Sequence, residues 1–247
     1  MSNAAFLRVF AITALLILAP LAAAADPASP PPEPAAPGPA SAWTARILHP
    51  VAARSAPKNG ARVVDHVDTY TAFWRRPQQL MVLSPVQVDP DTGRGWVLVR
   101  LPGKPNLARG FVPVDAVRLT ATLNRIVVRV GARRVELWHA GKRVAEFSAA
   151  VGTGSTPTPT GLFAVQDPVP SDASQRSYLG PYIITLTAYS NVLSSFMGGN
   201  GLVAIHGTNE PGLLGSAVSH GCIRVSNDAV TRLYRVSAPG TPVEIVP

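Results

Sequence analysis

The chain holds a single cysteine, Cys222, and five histidines, two of which stand shortly before it. His206 lies in Ile205-His206-Gly207-Thr208, and His220 in Ser219-His220-Gly221-Cys222-Ile223-Arg224. A thiol is a strong nucleophile only as thiolate, so a catalytic cysteine needs a base or a cation beside it. His206 follows the apolar run Leu202 to Ile205, which would fix its backbone on a buried strand. His220 precedes Cys222 by two residues, and in an extended segment an i, i+2 pair shares a face. Geometry alone leaves either histidine open as the base. Gly221 lets the chain turn tightly beside the nucleophile. The N–H groups of Gly221 and Cys222 could then converge on an oxyanion, where loss of one donor typically costs ~10²–10³ in rate. His220 would support that turn and could contact a substrate. Arg224, two residues beyond Cys222, falls on the same side if the segment is extended.

The two blocks, in this order, resemble the signature of the L,D-transpeptidase (YkuD-type) catalytic domain, a His-Gly-Thr segment followed by Ser/Thr-His-Gly-Cys-x-Arg. The segment Gly152 to Phe163, with Thr158-Pro159-Thr160-Gly161-Leu162-Phe163 at its end, is similar to that family's Gly-x(n)-Thr-Pro-x-Gly-x-Phe loop and strand. The resemblance spans roughly residues 121 to 247. It implies that Cys222 is the nucleophile and His206 the general base. Gly207 matches the position whose carbonyl orients the imidazole, a substitute for the acid of a Ser-His-Asp triad. Ser219 fits the family's Ser/Thr position, where a hydroxyl can hold the loop. Arg224 would steer a carboxylate of the substrate or steady the site.

The implied substrate is the tetrapeptide stem of peptidoglycan. Attack on its third residue expels terminal D-alanine and leaves a thioester, which a second stem's amine resolves as a 3→3 cross-link. Water as acceptor would make the same site an L,D-carboxypeptidase. The resemblance implies no cofactor and acylation by carbapenems. Two rivals come from other classes. A zinc site of His206, His220 and Cys222 would have acceptable ligand types, but lacks the firmer H-x-x-x-H or C-x-x-C spacings, so metal: none is the expectation. A non-catalytic wall-binding protein would work through its N-terminal part. Papain-like peptidases place the cysteine before the histidine, the reverse of the order here.

The elements that must position these residues are mostly short strands. In 247 residues there are 25 prolines and 20 glycines, with hydrophobic residues at 47%. Such punctuation disfavours long helices and favours a mainly β fold. The formal net charge of +8 would hold the protein near carboxylate- and phosphate-bearing polymers. Nucleic acid is disfavoured, because the basic residues are scattered and form no run or basic helix. A monomer is expected.

Residues 1–25 read as an export signal: Arg8, the apolar stretch Val9 to Leu21, then small residues Ala22 to Ala25. The protein would thus act in a periplasm or cell wall, with an uncleaved anchor as the alternative. Residues 26–42 form a linker, with seven prolines between Pro27 and Pro39. Residues 43–120 carry about five short strands, the clearest being Gly95 to Leu101, and resemble a small bacterial SH3-like barrel. His49 and His66 there are read as surface or packing residues. The resemblance implies that residues 121–247 form the catalytic domain, an L,D-transpeptidase-type β-sandwich with one short helix after the cysteine. It opens on a meander through Arg125 to Val151, with His139 exposed at a turn. Asp167 to Ser177 is expected to form a lid or cleft loop. The helix runs through Ser226 to Tyr234, with Ser226 or Asn227 as N-cap.

Overall fold

The computed structural model describes residues 33–195 and 199–247. The segment 1–25 expected to be an export signal, and the first part of the expected proline-rich linker, lie outside these. The C-terminal half begins with the expected meander: β9 (Asn124–Arg129), β10 (Arg134–His139) and β11 (Lys142–Ser148), antiparallel in sequence order. An eight-stranded sheet is built onto it. With β13 (Gly161–Pro170), β14 (Tyr182–Tyr189), β15 (Leu202–His206), β17 (Ile223–Arg224) and β18 (Pro242–Val246), its order is β11-β10-β9-β18-β13-β14-β15-β17. A parallel pair, β12 (Val151–Gly152) with β16 (Ala217–Ser219), ties the first loop of the site to the signature.

Alternation along these strands sends successive side chains to opposite faces. Ile184, Leu186, Val203, Ile205 and Ile223 point into the main apolar cluster. On that side lies α2 (Asn227–Val236), which buries Ala229, Val230 and Leu233. Its N-cap is Ser226, whose hydroxyl accepts the Ala229 N–H at 3.2 Å, satisfying a donor that the helix cannot. Tyr234 completes the apolar face by stacking on Tyr182, with ring centroids 4.0 Å apart. The register of β13 against β14 shifts between Val165 and Pro168, which frees backbone groups from the ladder. Threonine hydroxyls take their place. Thr187 accepts from the Ala164 N–H and Thr185 from the Asp167 N–H, both at 3.0 Å. An irregular, curled sheet thereby keeps its buried backbone paired.

The N-terminal half has eight strands where the sequence suggested five. They are β1 (Ala42–Ile47), β2 (Val51–Arg54), β3 (Val63–Val67), β4 (Gln79–Met81), β5 (Gln87–Val88), β6 (Gly95–Arg100), β7 (Arg109–Pro113) and β8 (Val117–Thr122). They form a three-stranded sheet, β4-β1-β8, and a five-stranded sheet, β3-β2-β7-β6-β5, around Ala45, Ile47, Leu80, Val97, Val99 and Val112. The first of them, Ala42-Trp43-Thr44-Ala45-Arg46-Ile47, begins at the expected end of the linker. Its apolar and polar residues do not alternate cleanly, and its place comes from pairing with β8, which lies far downstream. Only Leu123 separates β8 from β9, and residues 33–247 form one compact unit. Asn106 helps close the seam, donating to the Tyr189 carbonyl at 2.7 Å and accepting the Tyr189 N–H at 2.8 Å.

One expectation needs correction. Asp167 is not in a cleft loop; it lies within β13 and is buried, and only the polar stretch after Pro170 leaves the sheet. That stretch contains a short helix, α1 (Arg176–Leu179), ahead of the expected one after Cys222. Pairing across the register shift carried β13 further than its proline-rich sequence suggests. No helix of the described residues is long and apolar enough to cross a membrane.

Candidate active site

The face of the sheet opposite α2 carries the site. Ile183 lies opposite His206, Thr185 opposite Ala204, and His206 beside Arg224 in the parallel pair of β15 and β17. In-register neighbours share a face, so these side chains stand together. They line one cavity of about 320 Å³, joined there by Cys222, Ser219 and His220. Of the sequence-predicted residues, His206, Ser219, His220, Cys222 and Arg224 line this cavity, while Gly207 and Gly221 lie beside it in the chain without lining it. Val203, Ile205 and Ile223, one step along in each strand, anchor the same segments in the core.

His206 is 6% exposed. Its Nδ1 lies 2.7 Å from the Gly207 carbonyl oxygen. A carbonyl only accepts, so Nδ1 carries the proton and Nε2 keeps its lone pair. Burial lowers the imidazole pKa to about 4; the Gly207 carbonyl opposes this shift and the Arg224 charge adds to it. The histidine is therefore neutral at neutral pH. Gly207 is held by close approach: a Cβ there would come 2.2 Å from the Asn227 Oδ1. That oxygen also accepts the Thr208 N–H at 3.1 Å, so the start of α2 braces the turn after His206.

Cys222 is half-buried. Burial pushes its thiol pKa up, while a backbone hydrogen bond with Ala204 and the Arg224 charge pull it down, and burial prevails. The resting pair is therefore neutral thiol and neutral imidazole. The loop before Cys222 is closed by Ser219, which donates to the Cys222 carbonyl at 2.5 Å and accepts the Gly221 N–H at 3.1 Å. One of the two donors expected at the oxyanion is thus already engaged by a hydroxyl. Gly221 has φ +117°, a conformation that other residues rarely adopt. The Gly152–Gly161 loop clamps the signature from outside: Thr158 donates to the Gly221 carbonyl and Thr156 to the Ser219 carbonyl, both at 3.0 Å.

Arg224 is held by Glu210, with Nη1 to Oε2 at 3.0 Å. A carboxylate on a ligand would meet a guanidinium that already has a partner. His220 is exposed at the mouth of the cavity. His49, His66 and His139 lie outside the site, and His139 contacts Asn124 at 2.8 Å. Among the described residues no group of three or more His, Cys, Asp or Glu is placed to hold a metal ion. The signature did not reveal Gln175, Tyr178 and Leu179 on one wall, Glu210 beside Arg224, or Trp74 from the N-terminal half. These have no motif of their own. The polarity of residues 171–177 was the only local hint.

A mainly β domain brings a buried histidine, at the end of one strand, into one cavity with a thiol that immediately precedes the neighbouring strand of the same curled sheet, and this defines the class of protein. The chain belongs to the L,D-transpeptidase family through residues 123–245, which match the family's YkuD catalytic domain. It is 36% identical over 123 residues to YkuD of Bacillus licheniformis, a match covering 50% of this chain and 66% of that protein. It is 37% identical over 120 residues to YkuD of Bacillus subtilis, covering 49% and 64%. The matched segment thus spans less than two thirds of these relatives. Among solved structures, an L,D-transpeptidase from Mycobacterium tuberculosis aligns over 88% of this chain and 96% of its own, at 16% identity and a TM-score of 0.44.

Proposed function

We propose that the protein is a cysteine-dependent L,D-transpeptidase acting on peptidoglycan stem peptides. The observation that carries this reading is the fixed His206 imidazole, Nδ1 on the Gly207 carbonyl, in one cavity with the only thiol of the chain. Because the resting pair is neutral, the proton moves as the thiol attacks. The Cys222 Sγ bonds to the carbonyl carbon of the third stem residue while His206 Nε2 takes the thiol proton. The C–N bond to terminal D-alanine then breaks, and the same proton passes to the departing amine. A thioester remains. An amine of a second stem attacks it, His206 receives a proton from that amine, and the thiol is restored with a 3→3 cross-link. If water attacks instead, the outcome is an L,D-carboxypeptidase.

The Cys222 N–H, beside a Gly221 N–H engaged by Ser219, is the donor this reading assigns to the developing oxyanion. No cofactor takes part. The leading segment, read as an export signal, would place this chemistry in the periplasm or wall. Residues 43–120 would be an SH3-like module that packs on the catalytic domain. The test is intact-protein mass after incubation with a carbapenem and, separately, with a disaccharide-linked tetrapeptide. A stoichiometric adduct on wild type and none on Cys222→Ala, with D-alanine released by wild type alone, supports the reading. Folded wild type with no adduct and no D-alanine release overturns it. Cross-linked dimer against trimmed tripeptide then identifies the acceptor.

A further inference from the structure

Of the cavity walls, one does not come from the catalytic domain. Trp74 belongs to a short hairpin between β3 and β4, yet it lines the same cavity as Cys222 and His206. The hairpin is closed on itself: the Thr71 N–H donates to the Arg76 carbonyl at 2.8 Å, and the Gln78 N–H to the Thr69 carbonyl at 2.7 Å. Its foot is fixed on the catalytic sheet. The Thr71 hydroxyl donates to the Asp167 Oδ1 at 3.1 Å, and the two residues are 2% and 1% exposed. A buried hydrogen bond to a carboxylate at that seam sets where the tip can stand.

The tip carries two open aromatics, Phe73 at 65% and Trp74 at 41% exposure. Arg75 turns back over the Tyr70 ring at 5.4 Å, and the Trp74 ring, which lines the cavity, lies tilted at 51° to Phe73 with centroids 5.9 Å apart. Tyr178, 38% exposed, and Leu179 and Leu202 continue this apolar wall, while His206, Cys222 and Arg224 form the polar floor. A large ring held in place with an open face is suited to lie against C–H groups of a ligand whose polar end is bound elsewhere.

We propose that Trp74 is a specificity-determining residue of the catalytic cavity, supplied by the N-terminal sheets, whose indole packs against a C–H-bearing face of the acyl donor. Thr71 and Asp167 are its positioning residues. The inference rests on the reading that the cavity receives a stem-peptide donor. That face is either the aliphatic part of the stem peptide or the sugar that bears it, and the two are separated by the choice of donor.

The experiment measures D-alanine release by the full chain from a free tetrapeptide and from a disaccharide-linked tetrapeptide. Alkylation of Cys222 by iodoacetamide is measured in parallel. Trp74→Ala is expected to raise KM about tenfold, with kcat and alkylation changed by less than about twofold, and Trp74→Phe to recover most of the loss. Thr71→Val should raise KM in the same direction by a smaller factor, with rescue by Thr71→Ser. An effect on both donors puts the contact on the peptide; an effect on the disaccharide-linked donor alone puts it on the sugar. Unchanged KM for both donors in Trp74→Ala, with wild type active, overturns this inference and leaves the proposed function standing. A parallel loss of kcat, alkylation and thermal stability would make Trp74 a structural residue and overturn it as well. Absence of D-alanine release by wild type overturns both.

Discussion

β6 in the N-terminal half and β15 in the catalytic half are both buried along most of their length, yet they bury different things. β6 places Val97 and Val99 in an apolar cluster, with Trp96 and Arg100 also enclosed. β15 places Val203 and Ile205 in the main core and turns Ala204 and His206 toward the cavity. One strand is enclosed to hold two sheets together. The other is enclosed so that a histidine is desolvated and aimed. Burial of carbon is the stabilising term in both, but in β15 the same alternation that anchors the strand also displays its chemistry. Stability and reactivity should therefore separate by region.

Cys222→Ala is the strongest test of that separation. It should abolish turnover and the carbapenem adduct while the melting temperature shifts little, because a half-buried thiol loses only one sulfur atom's packing. His206→Gln should lower D-alanine release by ~10²–10⁴ through loss of the base. Ile47→Ala, in the N-terminal cluster at 2% exposure, should do the reverse. It should cost ~2–5 kcal/mol in denaturant unfolding and leave the alkylation rate of folded Cys222 unchanged. If Ile47→Ala slows alkylation in the folded protein, the two regions are coupled more tightly than the comparison holds.

The pH dependence sharpens the contrast further. Between pH 6.5 and about 4 the unfolded chain protonates this histidine and the folded chain does not. Stability is therefore fully present above the unfolded pKa and falls as pH drops through that window, by about 3 kcal/mol for this one group. Unfolding curves of His206→Gln should lack that part of the loss. The Cys222 alkylation rate should keep rising beyond pH ~8.5, where an ordinary thiol is half ionised, because burial holds the thiol pKa up. A plateau at neutral pH would instead indicate a preformed thiolate. The smallest effect is expected from Ser226→Ala, about 1 kcal/mol from the loss of the α2 cap, read by thermal melting.

Much of the catalytic half was legible because its signals are local. The meander turns, the strand before His206 and the capped helix after Arg224 each rest on residues adjacent in the chain. The N-terminal half was less so. β1 carries weak alternation and exists through pairing with β8, far along the chain, and Asp167 looked like loop because aspartate and proline seldom enter strands. Both cases are settled by pairing, which propensity does not contain.

At the site, residue types and spacing alone determined which thiol and which histidines could react, and that Gly221 must turn the chain beside the nucleophile. Resemblance to a family then singled out His206 and the Gly207 carbonyl. Only the tertiary structure decided the protonation states, since desolvation depends on everything packed around His206 and Cys222. It alone paired Arg224 with Glu210 and engaged the Gly221 N–H on the Ser219 hydroxyl. It alone brought Trp74 to the cavity wall, because a hairpin anchored by Thr71 on Asp167 joins residues that share no local pattern. Reactive groups are written in the chain one residue at a time, but the surroundings that tune them are assembled from its whole length.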